Sequence, residues 1–126
     1  MAPSIVLVTG VSRFLGGHLA ARLAADPSIE RVLGVDTVPP GPDLCSRMGR
    51  AEFIRADIRN PLIAKVIARA DVDTVVHAGL SPDPSGRWGS AAREMSVLGT
   101  MQLLAACQKA PTVRRVVLES TTAVYG

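Results

Sequence analysis

Val8-Thr9-Gly10-Val11-Ser12-Arg13-Phe14-Leu15-Gly16-Gly17 is the stretch that decides how this 126-residue sequence folds. Just before and into it, Ile5-Val6-Leu7-Val8 is an uninterrupted β-rich apolar run, the pattern of a strand covered on both faces. Just after it, Leu15, Leu19 and Leu23 recur at i, i+4 and i+8 with Ala20 and Ala24 alongside, the pattern of a helix. The stretch is therefore a strand-to-helix turn. Gly10 permits a tight turn, and Gly16 permits close packing of the helix on the sheet. The first N–H groups of such a helix lack intrahelical acceptors and sit at the positive end of its dipole, so the turn suits a pyrophosphate.

The same alternation continues outward. Val32-Leu33-Gly34-Val35 reads as a second strand, Glu52-Phe53-Ile54-Arg55 as a third, Thr74-Val75-Val76-His77 as a fourth and Val116-Val117-Leu118 as a fifth. The first helix ends near Asp26-Pro27, because proline disfavours helix in the residue before it. Asn60-Pro61 starts another, with Asn as cap and Pro at the first helical position; Leu62, Val66 and Ala70, with Ile63 and Ile67, supply its apolar face. From about Ser90 to Ala110, Met95, Leu98, Met101 and Leu104-Ala105 fall at helical spacing, and Pro111 follows. Thr37 to Arg50 and Ser81 to Gly89 read as loops.

Strand–helix alternation without hairpin signals predicts an α/β fold, a doubly wound parallel (Rossmann) sheet of strand order 3-2-1-4-5. Ligands then sit beyond the strand C-terminal ends, at the switch between strands 1 and 4. The loop from Ser81 follows strand 4 at that edge. It reads either as a mobile lid or as an exposed connection with no role.

Composition limits the alternatives. The length fits one domain, and 48% apolar residues exclude a disordered chain. With two Phe, one Trp and one Tyr, the core must be aliphatic. The net charge is +3, but the basic residues are dispersed and Arg114-Arg115 is their only adjacent pair, which argues against a nucleic-acid surface. Cys45 and Cys107 lack metal-site spacing and read as reduced thiols; no metal is expected. Met1-Ala2-Pro3-Ser4 opens no signal peptide, and no apolar run approaches the ~20 residues of a membrane span. The expected location is the cytoplasm, with no membrane partner.

Asp36 adds to the turn. It lies twenty residues beyond Gly16 at the end of strand 2. A carboxylate there accepts hydrogen bonds from the adenosine ribose and repels a 2′-phosphate, which favours NAD over NADP. The other reading of Asp36 is a strand-end cap.

These residues together resemble the extended short-chain dehydrogenase/reductase superfamily, particularly its NAD-dependent nucleotide-sugar epimerases and dehydratases, over essentially the whole sequence. Thr9, Gly10 and Gly16 match that group's T-G-x-x-G-x-x-G loop, with Arg13 at the middle glycine. The shorter, single-domain branch has T-G-x-x-x-G-x-G, often with Ser-Arg as in Ser12-Arg13; here Phe14 replaces its second glycine. The resemblance assigns Thr9, Gly10, Ser12, Arg13, Phe14, Leu15 and Gly16 to cofactor binding. Arg13 either points outward or adds a cationic phosphate contact. Ser-Arg pairs accompany NADP in the shorter branch, whereas Asp36 favours NAD, and NAD is the expectation.

Further resemblances extend along the chain. Asp57-Ile58 is similar to the pair that holds adenine, against the reading of an ordinary loop Asp and a core Ile. His77-Ala78-Gly79-Leu80 is similar to the H-x-A-A or H-x-A-G segment whose small residues let the dinucleotide approach, so Ala78, Gly79 and Leu80 join the site. His77 itself reads as a buried, hydrogen-bonded structural residue, and His18 as a surface or helix-packing one. Ser96-Val97-Leu98-Gly99-Thr100 resembles Asn-Val-x-Gly-Thr, with Gly99 allowing close helix–sheet packing. Ser120-Thr121-Thr122-Ala123-Val124-Tyr125-Gly126 resembles S-(S/T)-x-x-V-Y-G, which puts Thr121 at the catalytic Ser/Thr position; a turn hydroxyl is the alternative.

The superfamily's catalytic base, Tyr in Y-x-x-x-K, has no counterpart in these residues, since Tyr125 belongs to V-Y-G. The expectation is that residues 1–126 form the N-terminal NAD-binding Rossmann domain of a longer protein, cut after strand 5 and inactive alone. The full-length protein would be a homodimeric epimerase or dehydratase working by transient hydride transfer on a small-molecule substrate, a nucleotide sugar. Two alternatives stay open: an NAD(P)-dependent reductase or hydroxysteroid-type dehydrogenase, and a non-enzymatic dinucleotide sensor.

Overall fold

The computed structural model describes residues 4–12, 14–47, 49–78 and 89–118, with backbone alone for residues 14, 44, 45 and 89–97. Strands and helices alternate: β1 (Ile5–Thr9), α1 (Phe14–Ala24), β2 (Arg31–Asp36), α2 (Pro42–Arg47), β3 (Glu52–Arg55), α3 (Leu62–Arg69), β4 (Thr74–His77), α4 (Gly89–Lys109) and β5 (Arg115–Leu118). The five strands form one parallel sheet of order β3-β2-β1-β4-β5, as expected. Chain direction across the sheet reverses at β1, with β2 on one side and β4 on the other.

Alternation of side chains along β1 divides the core into two. Leu7 faces Leu33, Val35 and Val75 on the sheet, Ile63 and Ile67 of α3, and Leu103, Ala106 and Cys107 of α4. Val6 and Val8 face Val32, Val11, and Ala20 and Ala24 of α1. The sheet is thus covered on both faces, which is why β1 reads as a continuous apolar run.

Three elements differ from the sequence reading. The connection from Thr37 to Arg50 contains α2, which opens on Pro42 with Asp43 in its first turn and Arg47 in its last, all favourable for a short helix. Helix α4 packs through Gly99, Leu103, Ala106 and Cys107, while Leu98 and Met101 face outward, 56% and 62% exposed. Leu98 and Met101 of the apolar spacing in that segment thus mark the outer stripe, and the stripe against the core mixes Leu103 with the smaller Gly99, Ala106 and Cys107. On α1, the buried stripe is Gly16-Gly17, Ala20 and Ala24; Leu19 and Leu23 flank it and Leu15 is exposed.

The start of α3 follows the sequence. Pro61 has helical dihedrals (φ −59°, ψ −15°), and the Asn60 Oδ1 accepts from the Leu62 N–H at 3.0 Å. At the opposite end of the sheet, Asp73 joins three strands. Its Oδ2 accepts from the N–H groups of Ser4 (2.9 Å) and Ile5 (2.8 Å), and its backbone carbonyl accepts from those of Arg114 (2.8 Å) and Arg115 (3.2 Å).

Candidate functional site

The turn between β1 and α1 lies at the C-terminal edge of the sheet, beside the reversal point. Gly10 adopts φ +71°, a conformation L side chains rarely take, and its N–H donates to the Val35 carbonyl at 2.8 Å. The chain then turns sharply enough for α1 to come back over it. A Cβ built on Gly16 would lie 2.2 Å from the Gly10 carbonyl oxygen and 3.1 Å from that of Thr9. Gly16 is therefore needed for the helix to meet the turn itself, a closer constraint than packing on the sheet. No acidic residue occupies the first turn of α1, so nothing there opposes an anion at its N-terminus.

Asp36 ends β2 and faces this turn. Its Oδ2 accepts the Ser12 N–H at 3.1 Å and the Ser12 hydroxyl, and its Oδ1 accepts the Thr37 N–H at 2.7 Å. Asp36 thus caps its own strand end and stands beside the β1–α1 turn. Gly34, two residues earlier, was not singled out from the sequence. A Cβ at Gly34 would lie 2.7 Å from Cγ1 of Val11, so this glycine gives Val11 room over β2 and seats the residue preceding Ser12. A glycine inside a strand pattern was the available signal.

The resemblance assigns Thr9 to the cofactor site; its hydroxyl turns into the protein. It accepts from the Ala78 N–H at 3.1 Å and lies 2.6 Å from Nδ1 of His77. Nε2 of the same imidazole lies 3.0 Å from the Thr100 hydroxyl of α4. His77 is 1% exposed, and burial lowers its pKa from the ordinary histidine value, so the ring is held neutral. The expectation of a structural histidine is met, and Thr9 acts on the turn from beneath. Ala78 follows, buried, at the end of β4.

Asp57, expected at the adenine, carries an ion pair within its own turn. Its carboxylate is engaged by Arg59, through Nε at 3.1 Å, Nη2 at 2.6 Å and the backbone N–H at 2.9 Å. The Arg59 hydrogen bond holds the Asp57 carboxyl below its usual range. Asp57 is thus tied within its own turn, beside Ile58. Ile58 is half-buried, and a Cβ on Gly99 would lie 3.0 Å from its Cδ1. The close approach allowed by Gly99 is to this turn rather than to the sheet.

Leu15 is exposed beside Gly16, and Phe14 begins α1. Arg13, Gly79, Leu80, Thr121 and Tyr125, with residues 81–88, lie outside the described residues. Among the described residues, no three His, Cys, Asp or Glu side chains gather where they could hold a metal ion.

A sequence model of the NAD-dependent epimerase/dehydratase family matches residues 6–126. The chain belongs to that family. It is 62% identical over 125 residues to an uncharacterized protein of Mycobacterium tuberculosis, covering 98% of this chain and 33% of the relative. The chain thus spans about a third of the length of the curated mycobacterial relatives it matches. Among solved structures it is similar to the UDP-glucose 4-epimerase of Brucella ovis in complex with NAD, with TM-score 0.80 and 26% identity over 98% of this chain and 37% of that one. The fold is also that of the UDP-glucose-4-epimerase of Stenotrophomonas maltophila with bound NAD and formylated UDP-arabinopyranose, with TM-score 0.82 and 24% identity over 99% and 39% of the two chains.

Proposed function

We propose that these residues are the NAD-binding domain of an epimerase or dehydratase that acts on a nucleotide sugar by transient hydride transfer. The observation that carries this reading is the turn from Thr9 to Gly16, pinned through Gly10, closed over by α1 and flanked by the Asp36 carboxylate. The turn fits a dinucleotide: Gly16 lets the N-terminus of α1 close on Gly10, where its first N–H groups favour an anion, and a carboxylate stands beside it to accept from a ribose. Gly10, Arg13, Phe14, Leu15 and Gly16 would hold the pyrophosphate, Asp36 with Ser12 hydrogen-bonded to it the adenosine ribose, and Ile58 with Ala78, Gly79 and Leu80 the surrounding wall. NAD held there would supply the hydride acceptor and donor for the reaction. Thr9 and His77 hold the turn in place from the core side, and Thr121 would hydrogen-bond the substrate oxygen.

The similarity to an epimerase in complex with NAD supports the cofactor, and the family supports the reaction class. The proposed location is the cytoplasm; among the described residues no helix is long and apolar enough to cross a membrane. The outward Leu98 and Met101 of α4 support a homodimer as the proposed assembly.

Calorimetric titration of the purified protein with NAD and NADP tests the reading. NAD is expected to bind at least tenfold more tightly, and Asp36→Asn to narrow that gap. Equal or tighter binding of NADP would contradict the assignment of Asp36, and no binding of either would contradict the function.

A further inference from the structure

Asp36 is already well supplied with hydrogen bonds before any ligand arrives. Oδ2 accepts both the N–H and the hydroxyl of Ser12, and Oδ1 accepts the N–H of Thr37 at 2.7 Å. The Thr37 hydroxyl, 3.4 Å from Oδ1, is a marginal contact. An ionised carboxylate offers about four lone-pair positions. Three are taken, so Asp36 keeps one position for an incoming donor. A ribose with vicinal hydroxyls presents two.

Of the three bonds, two come from backbone N–H groups that ride on the fold. The Ser12 hydroxyl is different, because it rotates freely about a single bond and can be withdrawn without moving the chain. Ser12 and Asp36 are both half-buried, so a ligand in the crevice reaches them. The turn itself does not depend on this hydroxyl. The Gly10 N–H to Val35 carbonyl bond and the Ser12 N–H to Asp36 bond would both survive its removal.

We propose that Ser12 is a specificity-determining residue whose hydroxyl competes with the adenosine ribose for Asp36. A dinucleotide must displace it to place both ribose hydroxyls on the carboxylate, and its affinity is set lower by that exchange. The proposal rests on the function proposed above and deepens it at the same site.

Binding of NAD, AMP and 2′-deoxy-AMP to wild type, Ser12→Ala and Ser12→Thr tests it. AMP carries two ribose hydroxyls and 2′-deoxy-AMP one, which the free position already serves. Ser12→Ala is expected to tighten NAD and AMP by about threefold to tenfold, the worth of one hydrogen bond, and to leave 2′-deoxy-AMP unchanged. Ser12→Thr, which keeps the hydroxyl, is expected to bind all three as wild type does. If Ser12→Ala weakens all three probes, or shifts AMP and 2′-deoxy-AMP alike, the competition is overturned while the function stands. If wild type binds none of them, both fall together.

Discussion

At the scale of single residues, two buried or half-buried polar groups tie the strands together, one at each end of the sheet. His77 accepts or donates only to hydroxyls, Thr9 on β1 and Thr100 on α4, in the interactions described for its ring. Replacing it by Phe leaves those hydroxyls without that partner. His77→Phe is expected to cost about 1–3 kcal/mol in denaturant unfolding at neutral pH. The folded pKa of His77 lies below the unfolded value of about 6.5. Between the two values the unfolded chain binds more protons, so this residue's contribution is full above about pH 6.5 and is lost as pH falls through the folded pKa. The gap between wild type and His77→Phe should therefore narrow on acidification. A gap that widens would contradict a neutral buried ring. Asp73 differs: burial pushes its carboxyl up, but the N–H groups of Ile5 and Ser4, with the Thr74 hydroxyl, outweigh this and hold its pKa below the ordinary carboxylate value. Asp73→Asn is expected to cost about 1–3 kcal/mol at pH 7, with the difference from wild type fading as pH falls below about 4. The role of His77 as a buried structural residue is legible from its place at a strand end. That of Asp73 is not, because its partners Ser4 and Ile5 lie 69 and 68 residues away and meet it only when β1 and β4 pair.

At the scale of elements, the period of the apolar residues reveals each strand and major helix, while the face a helix buries depends on size as well as period. In α4 the bulky Leu98 and Met101 are outside, and Gly99, Leu103, Ala106 and Cys107 are inside; Gly99 in particular leaves room for the Ile58 turn. Helix α2 was hidden because its six residues are too few to show a repeat. Gly34 and Val11 illustrate a dependence between elements that no local pattern carries. Gly34→Ala would drive a Cβ into Val11, and is expected to cost about 1–3 kcal/mol of stability and to weaken NAD by displacing Ser12. The double variant Val11→Ala/Gly34→Ala removes the collision, and is expected to recover part of both losses. Thermal unfolding and NAD titration of the three proteins check this; equal damage in single and double variants would show that the Val11 contact is not the cause.

At the scale of the whole molecule, strand order and the position of the β1–α1 turn follow from the alternation of short apolar runs and helices, because a right-handed crossover leaves few ways to assemble them. What remains of the reading concerns parts of the protein that meet beyond the described residues. Thr121 is the group proposed to touch substrate, so Thr121→Ala in the full-length protein is expected to lower turnover by tenfold or more and leave the NAD affinity within about twofold, judged against the worth of one positioned hydrogen bond. Steady-state kinetics beside calorimetry separates the two; unchanged turnover would remove Thr121 from the chemistry. The outward stripe of α4 carries the proposed dimer, and Met101→Lys is expected to shift sedimentation toward monomer.

The central claim is that the β1–α1 turn receives the pyrophosphate with the adenosine ribose on Asp36. A crystal structure of the protein grown with NAD tests this most directly. The account predicts pyrophosphate oxygens within hydrogen-bond distance of N–H groups between Gly10 and Gly16, and a ribose hydroxyl on the Asp36 carboxylate. A dinucleotide bound away from the N-terminus of α1, or with its ribose turned from Asp36, would contradict it.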